Sequence, residues 1–269
     1  MSLKTPLEML YYWEEEAPDS HYLTQPVNGR VDKYSWGQVA QLARKVAAHL
    51  LSMNLPQGSH IAILSKNCAE WFITDLAIML AGHVSVPIYS TAGKETIRYV
   101  LEHAECPVIF VGKLDKTEEQ MAAIGEGVVS LAMPYPNIPA DKQWAEVLNI
   151  EPYQGKPVPS LDSIMTIIYT SGSTGNPKGV VHHYRSVSFS GANFLRALSI
   201  DNKDRILSYL PLAHITERVL VEISSFYSGC NISFVESLDT FSRDIIHTKP
   251  TLFISVSKAL DPLSNGRIS

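Results

Sequence analysis

Between His60 and Gly112 the sequence alternates short, almost wholly apolar runs with longer amphipathic ones, and nothing else in the chain constrains the fold as strongly. HIAILS, VSVPIY and PVIFVG each have the length and composition of a buried strand. Between them, Ala69 to about Leu80 and the run KETIRYVLEHA carry helical spacing, with Asn67 placed to cap the first of these helices. Strands buried on both faces and separated by helix-length crossovers pair in parallel. The pattern predicts an α/β fold of parallel, doubly wound sheets flanked by helices.

The pattern continues on both sides. From Tyr34, YSWGQVAQLARKVAAHLLSMNLPQG reads as an amphipathic helix, with Val39, Leu42, Val46, Ala47 and Leu50 on one face and a Pro-Gln-Gly stop. Downstream, SIMTIIYT, RILSYLPL, ISFVES and PTLFISV are strand candidates, and RSVSFSGANFLRALSI is a helix candidate. Residues 134–160 are punctuated by proline from Pro134 to Pro159 and read as a connecting surface stretch, with only AEVLNI regular.

Composition narrows the partners. A 269-residue chain that is 45% hydrophobic can bury one large α/β domain or two smaller ones. With 22 Lys plus Arg against 27 Asp plus Glu, no global field draws it to nucleic acid. Cys68, Cys106 and Cys230 lie far apart with no CxxC spacing, as packing thiols of a reducing compartment do. The opening residues become acidic and aromatic where a secretory signal would be basic and then apolar. The most apolar run, Leu76 to Tyr89, is broken by Gly82, His83, Ser85 and Pro87 and falls short of the roughly 18–20 apolar residues of a membrane span. These features predict a cytoplasmic protein without a transmembrane segment, and leave peripheral membrane contact and oligomeric state open.

Tyr169 to Val181, YTSGSTGNPKGVV, is the segment richest in chemistry. Gly172, Gly175 and Gly179 permit dihedrals and close approach that let successive amides face an anion. Thr170, Ser171, Ser173 and Thr174 add hydroxyls, and Lys178 adds a compact cation suited to non-bridging phosphate oxygens. The segment fits neither GxxxxGK[ST] nor GxGxxG. A Ser/Gly-rich surface turn is the plain alternative. Four hydroxyls, three glycines and a lysine straight after a buried strand favour a polyphosphate cradle.

YTSGSTGNPKGV resembles the phosphate-loop signature of the AMP-forming acyl- and aryl-CoA synthetases, luciferases and peptide-synthetase adenylation domains. The resemblance extends, in the family's order, to YSWGQVAQLARKVAAHLL, IAILSKNCAEWFITDLAIMLAGHVSVPIYST and LSYLPLAHITERV, and so to about Val256. HITER is similar to the HxxER form common among long-chain fatty acyl-CoA synthetases. The resemblance implies a fatty acid carboxylate that attacks the α-phosphate of ATP to give acyl-AMP and pyrophosphate, followed by displacement of AMP by coenzyme A, with Mg2+ on the phosphates.

In that scheme Thr170, Ser171, Gly172, Ser173, Thr174, Gly175 and Lys178 hold ATP, with Thr170 the candidate neighbour of Mg2+. Lys178 and His214 are the candidate catalytic residues, His214 matching a histidine beside the carboxylate and the α-phosphate. Glu217 and Arg218 are weaker candidates, balanced against a solvated ion pair. His182 and His183 lie in an extended segment, project to opposite faces and are given no ligand role. The resemblance further implies one α/β subdomain over about residues 56–205 and a second built from about 1–55 with 206–269. The family's adenine, ribose and metal motifs, its hinge and its C-terminal lid follow this region, and the sequence holds none of them. The expectation is a truncated AMP-binding domain with little ligase activity by itself. An aryl or amino-acid adenylation domain, and a non-catalytic interaction protein, are the competing readings.

Overall fold

The computed structural model describes residues 3–170 and 176–254, with all their side chains except those of Leu195 and Arg196. Helix α1 (Pro6–Glu16) starts at a capping box, in which the Thr5 hydroxyl accepts from the Glu8 amide and the Glu8 carboxylate accepts from the Thr5 amide. Strands β1 (His21–Val27) and β2 (Arg30–Ser35) form a hairpin closed by Asn28-Gly29, at φ 49° and 80°. Two left-handed residues are what a tight turn matching the strand twist requires. Ser35 and Gln38 make a second capping box that launches α2 (Trp36–Ser52), whose Val39, Val46, Ala47 and Leu50 are buried and Leu42 half-buried.

The alternating segment follows as β3 (His60–Leu64), α3 (Ala69–Leu80), β4 (Val84–Ile88), α4 (Lys94–His103), β5 (Val108–Val111), α5 (Thr117–Met121) and β6 (Val129–Ala132). After the short α6 (Trp144–Val147) come β7 (Ile164–Thr170), β8 (Lys178–His183), α7 (Tyr184–Leu198) and β9 (Arg205–Ser208). A single helical run then passes from α8 (Ile215–Glu217) through a π-helical stretch, Arg218–Ile223, into α9 (Ser224–Ser228). Strand β10 (Asn231–Phe234) and helix α10 (Phe241–Thr248) complete the described chain.

Two sheets result. The first has the order β6-β5-β3-β4-β7-β8, parallel except for β8, which runs antiparallel to β7. The second has the order β2-β1-β10-β9, parallel except for β2. Side chains alternate across β3, so Ile61 and Ile63 enter a core with Trp71 and Phe72 of α3, while Ala62 and Leu64 enter another with Ile97, Val100 and Leu101 of α4. The first core also takes Leu23, Ile206, Ile232 and Phe234 of the smaller sheet, so α3 lies between the two sheets and buries all twelve of its residues.

Several details depart from the sequence reading. Asn67 does not cap α3: the N-cap is Cys68, with no side-chain bond to the helix, and the Asn67 amide is spent elsewhere. PTLFISV forms no strand within the described residues, which show only an isolated bridge from Leu252 to Ile206 and stop before Val256. The proline-rich stretch is a connecting strap, in keeping with the sequence, and carries the chain from β6 at one edge past β5, β3 and β4 to β7. It is tied down where Arg44 donates to the carbonyls of Tyr153 and Gly155 and the Tyr11 hydroxyl donates to Pro157.

Candidate functional site

The Ser/Gly segment leaves the sheet at the end of β7 and returns as β8. Met165 and Thr166 are buried at the start of β7, whereas Thr170, at its end, is exposed. Thr170 pairs directly with Lys178, the first residue of β8, so the two flank the root of the loop. Lys178 is exposed and joins no ion pair among the described residues. Gly179 pairs with Tyr169, and a Cβ there would lie 2.9 Å from Ile167 Cγ2 and 3.3 Å from the Tyr169 ring. Only glycine lets β8 approach so closely. The Tyr169 hydroxyl is in turn 2.7 Å from His103 Nδ1 on α4, fixing the root of the loop to the helix layer below. Ser171, Gly172, Ser173, Thr174 and Gly175 lie outside the described residues.

His214 belongs to the other sheet. It follows β9, is exposed, and caps α8 through Nδ1, which accepts from the Thr216 amide at 3.1 Å. An acceptor at Nδ1 puts the proton of the neutral ring on Nε2, leaving that atom as the donor. The turn behind it is clamped from two sides. Glu217 accepts from the Ser208 hydroxyl at 2.9 Å and from the Tyr209 amide at 3.1 Å. From the larger sheet, Asn67 Nδ2 donates to Ser208 Oγ at 2.8 Å and to the Leu210 carbonyl at 2.7 Å, and Oδ1 accepts from the Leu212 amide at 3.1 Å.

Glu217 and Arg218 are not a solvated pair. Both are buried and they do not bond to each other. Burial pushes the Glu217 carboxyl up to about 8, opposed by its bonds from Ser208 and Tyr209. Arg218 turns into the layer between the sheets. It donates to Asp75 at 2.5 Å, Thr166 Oγ1 at 2.6 Å and Ser85 Oγ at 2.9 Å, lies 3.3 Å from Glu222, and covers the Trp71 ring at 5.2 Å. Burial first, then the neighbouring Asp75, drives the Glu222 carboxyl far above its ordinary range. Burial thus favours the neutral form of Glu222, and the ion pair of the cluster is the contact of Arg218 with Asp75. The geometry assigns these residues to the framework that joins the helical run of His214 to β7, four residues before Thr170.

Thr170 and Lys178 are thus brought together directly, and His214 is related to them through the bonds of Arg218 and Asn67. His182 and His183 occupy successive positions on β8, half-buried and exposed. All three cysteines are buried, and burial pushes each thiol up to about 12. The sequence reading missed Asp75, Thr166 and Glu222. Two signals were present: an acid inside the otherwise apolar FITDLAIML, and an Arg-x-x-x-Glu spacing after HITE.

A two-sheet, mostly parallel α/β body with a Ser/Gly/Lys loop at the end of β7 is the architecture of an adenylate-forming enzyme. The chain belongs to the AMP-binding enzyme family, whose model matches residues 11–268. Its relatives are long-chain acyl-CoA synthetases. Long chain acyl-CoA synthetase 5 of Arabidopsis thaliana is 30% identical over 264 residues, covering 89% of this chain and 39% of the relative. Long-chain-fatty-acid–CoA ligase FadD15 of Mycobacterium tuberculosis is 28% identical over 273 residues, covering 96% and 44%. The chain therefore spans about two-fifths of the length of these relatives. Among solved structures, ATP-bound MatB from Rhodopseudomonas palustris matches with a TM-score of 0.80 at 18% identity, over 98% of this chain and 52% of that one. O-succinylbenzoate coenzyme A synthetase (MenE) from Bacillus subtilis, in complex with AMP, matches with a TM-score of 0.76 at 20% identity, over 95% and 63%. At these identities the structural likeness concerns the fold.

Proposed function

We propose that this chain carries the triphosphate-binding part of an ATP-dependent, AMP-forming ligase that activates a fatty acid as acyl-AMP and passes it to coenzyme A. The carrying observation is the pairing of exposed Thr170 with exposed Lys178 at the root of the Ser/Gly loop, which places side by side a hydroxyl and a cation that joins no ion pair among the described residues. The chemical difficulty is charge, since a carboxylate approaches a polyanion and expels pyrophosphate. Lys178, with the loop from Ser171 to Gly175, holds the β- and γ-phosphates and stabilises the charge that grows on them. His214 presents Nε2–H to the carboxylate and α-phosphate and strengthens that bond as charge develops. Thr170 supplies one hard oxygen beside the phosphates.

That donor set fits Mg2+ arriving on the nucleotide, because Mg2+ keeps several waters and needs few protein ligands. Among the described residues no group of three or more His, Cys, Asp or Glu could hold a resident metal. When bound, Mg2+ neutralises phosphate charge. The fatty-acid class is favoured by HITER and by the acyl-CoA synthetase relatives. A cytoplasmic location belongs to the same proposal; no described helix is long and apolar enough to cross a membrane, and two of the relatives, long chain acyl-CoA synthetases 6 and 7 of Arabidopsis thaliana, are named as peroxisomal.

The test is titration of the chain with Mg2+-ATP. Lys178→Ala is expected to weaken binding roughly tenfold or more, the worth of a hydrogen bond to a charged group. The melting temperature should stay unchanged, because the side chain is exposed. Equal affinity in the variant would overturn the assignment.

A further inference from the structure

We propose that Asn67 is a positioning residue that sets His214 against Thr170 and Lys178 by bracing one sheet on the other. This rests on the reading of His214 as the group that faces the α-phosphate. The two halves of that site belong to different sheets: Thr170 and Lys178 to the sheet containing β3, and His214 to the turn that follows β9. Strand register fixes neither sheet against the other; the shared α3 layer does so broadly, and the polar side chains that cross between the sheets add directional bonds.

Asn67 leaves the end of β3 and crosses to the turn after β9, where its amide makes three bonds within five residues: to Ser208 Oγ, to the Leu210 carbonyl and from the Leu212 amide. Leu212 and Ala213 are buried, so the turn cannot swing freely beneath the exposed His214. The His214 amide donates back to the Pro211 carbonyl at 2.8 Å, which ties the histidine backbone to the clamped segment. The brace is itself held. Lys113 Nζ donates to the Asn67 carbonyl at 3.3 Å and to the Val235 carbonyl at 3.0 Å, joining the ends of β5 and β10 around the same crevice.

An asparagine is suited to this task because one planar group offers two donors and an acceptor in fixed relation. It is only 7% exposed, so water does not readily replace the bonds it makes. Its absence from the α3 cap shows where the group is used instead.

The experiment follows the His214 ring by NMR in the 269-residue chain, with the signal assigned by its loss in His214→Gln, at one pH with and without Mg2+-ATP. In the native chain the nucleotide is expected to move the His214 ring signals, because Nε2–H then donates to a phosphate oxygen. In Asn67→Ala that movement should be lost, while ATP affinity, set mainly by Lys178 and its loop, changes less than about threefold. Exchange of the Leu212 amide should accelerate about five- to tenfold. Asn67→Asp retains an oxygen for Leu212 but loses both donors. It should keep Leu212 slow and still diminish the His214 response, which serves as the test if the alanine variant folds poorly. If ATP leaves His214 unmoved in the native chain, the phosphate reading of His214 fails and takes this proposal with it. If the native histidine responds and both Asn67 variants respond equally, the brace alone is refuted.

Discussion

Arg218→Met should be among the most destabilising single changes in this chain, although the side chain it introduces is apolar and of similar length. The native guanidinium has no exposed surface and carries the only positive charge of a cluster that contains Asp75 and Glu222, whose carboxyl burial pushes toward its neutral form. Removing one partner of a buried pair costs about 3–5 kcal/mol, because the other charge stays behind without compensation. Ser85 Oγ also loses its Arg218 donor, about 1 kcal/mol more, whereas Thr166 keeps its bond to the Ser85 carbonyl. The sum, roughly 4–6 kcal/mol, is a large part of the ~5–15 kcal/mol that holds a domain folded. For a chain of 269 residues it corresponds to a fall of roughly 7–11 °C in melting temperature at the usual unfolding entropy per residue. Calorimetry at neutral pH measures it directly. Adding Asp75→Asn to Arg218→Met should recover half or more of the loss, because the stranded charge is then gone. A melting temperature within about 2 °C of native for Arg218→Met, or no recovery in the double variant, would refute the charge balance argued here.

Burial holds the Glu217 carboxyl up at about 8 against an ordinary 4.5, so the folded chain binds this proton more tightly than the unfolded one. Its contribution is therefore full below about pH 4.5 and lost as pH rises through about 8. The melting temperature of the native chain relative to Glu217→Gln should fall across that window, and a pH-independent difference would refute the shift. The comparison cancels the opposite slope of His21, His49, His83 and His182, whose pKa values burial lowers. Cys68, Cys106 and Cys230, with thiols near 12, should resist iodoacetamide in the native chain at about pH 8 and react after denaturation; rapid native labelling of any one would refute its packing role.

Local order fixed what could be read along the chain. The alternation from β3 to β5 specified strands and helices because each element's apolar period is written in adjacent residues, and that period decides whether it can lie in a sheet or on one. The loop's chemistry was equally legible, since glycines, hydroxyls and Lys178 are consecutive. The β1–β2 hairpin, absent from the sequence reading, has a local signal of its own in Asn28-Gly29.

What depends on distant partners was not readable. Asn67 before a helix looks like a cap, and only the meeting of β3 with the turn after β9 turns it into a brace 141 to 145 residues away in sequence. Glu217 and Arg218, adjacent and opposite in charge, look like a surface pair. The π-helical run sends Arg218 to Asp75, 143 residues earlier, and leaves Glu217 to hold Ser208 and Tyr209. Sequence neighbours encode periodicity and turn chemistry; which polar groups can satisfy one another in the interior is decided only when two sheets close on a shared helix layer and exclude the water that would otherwise have served them all.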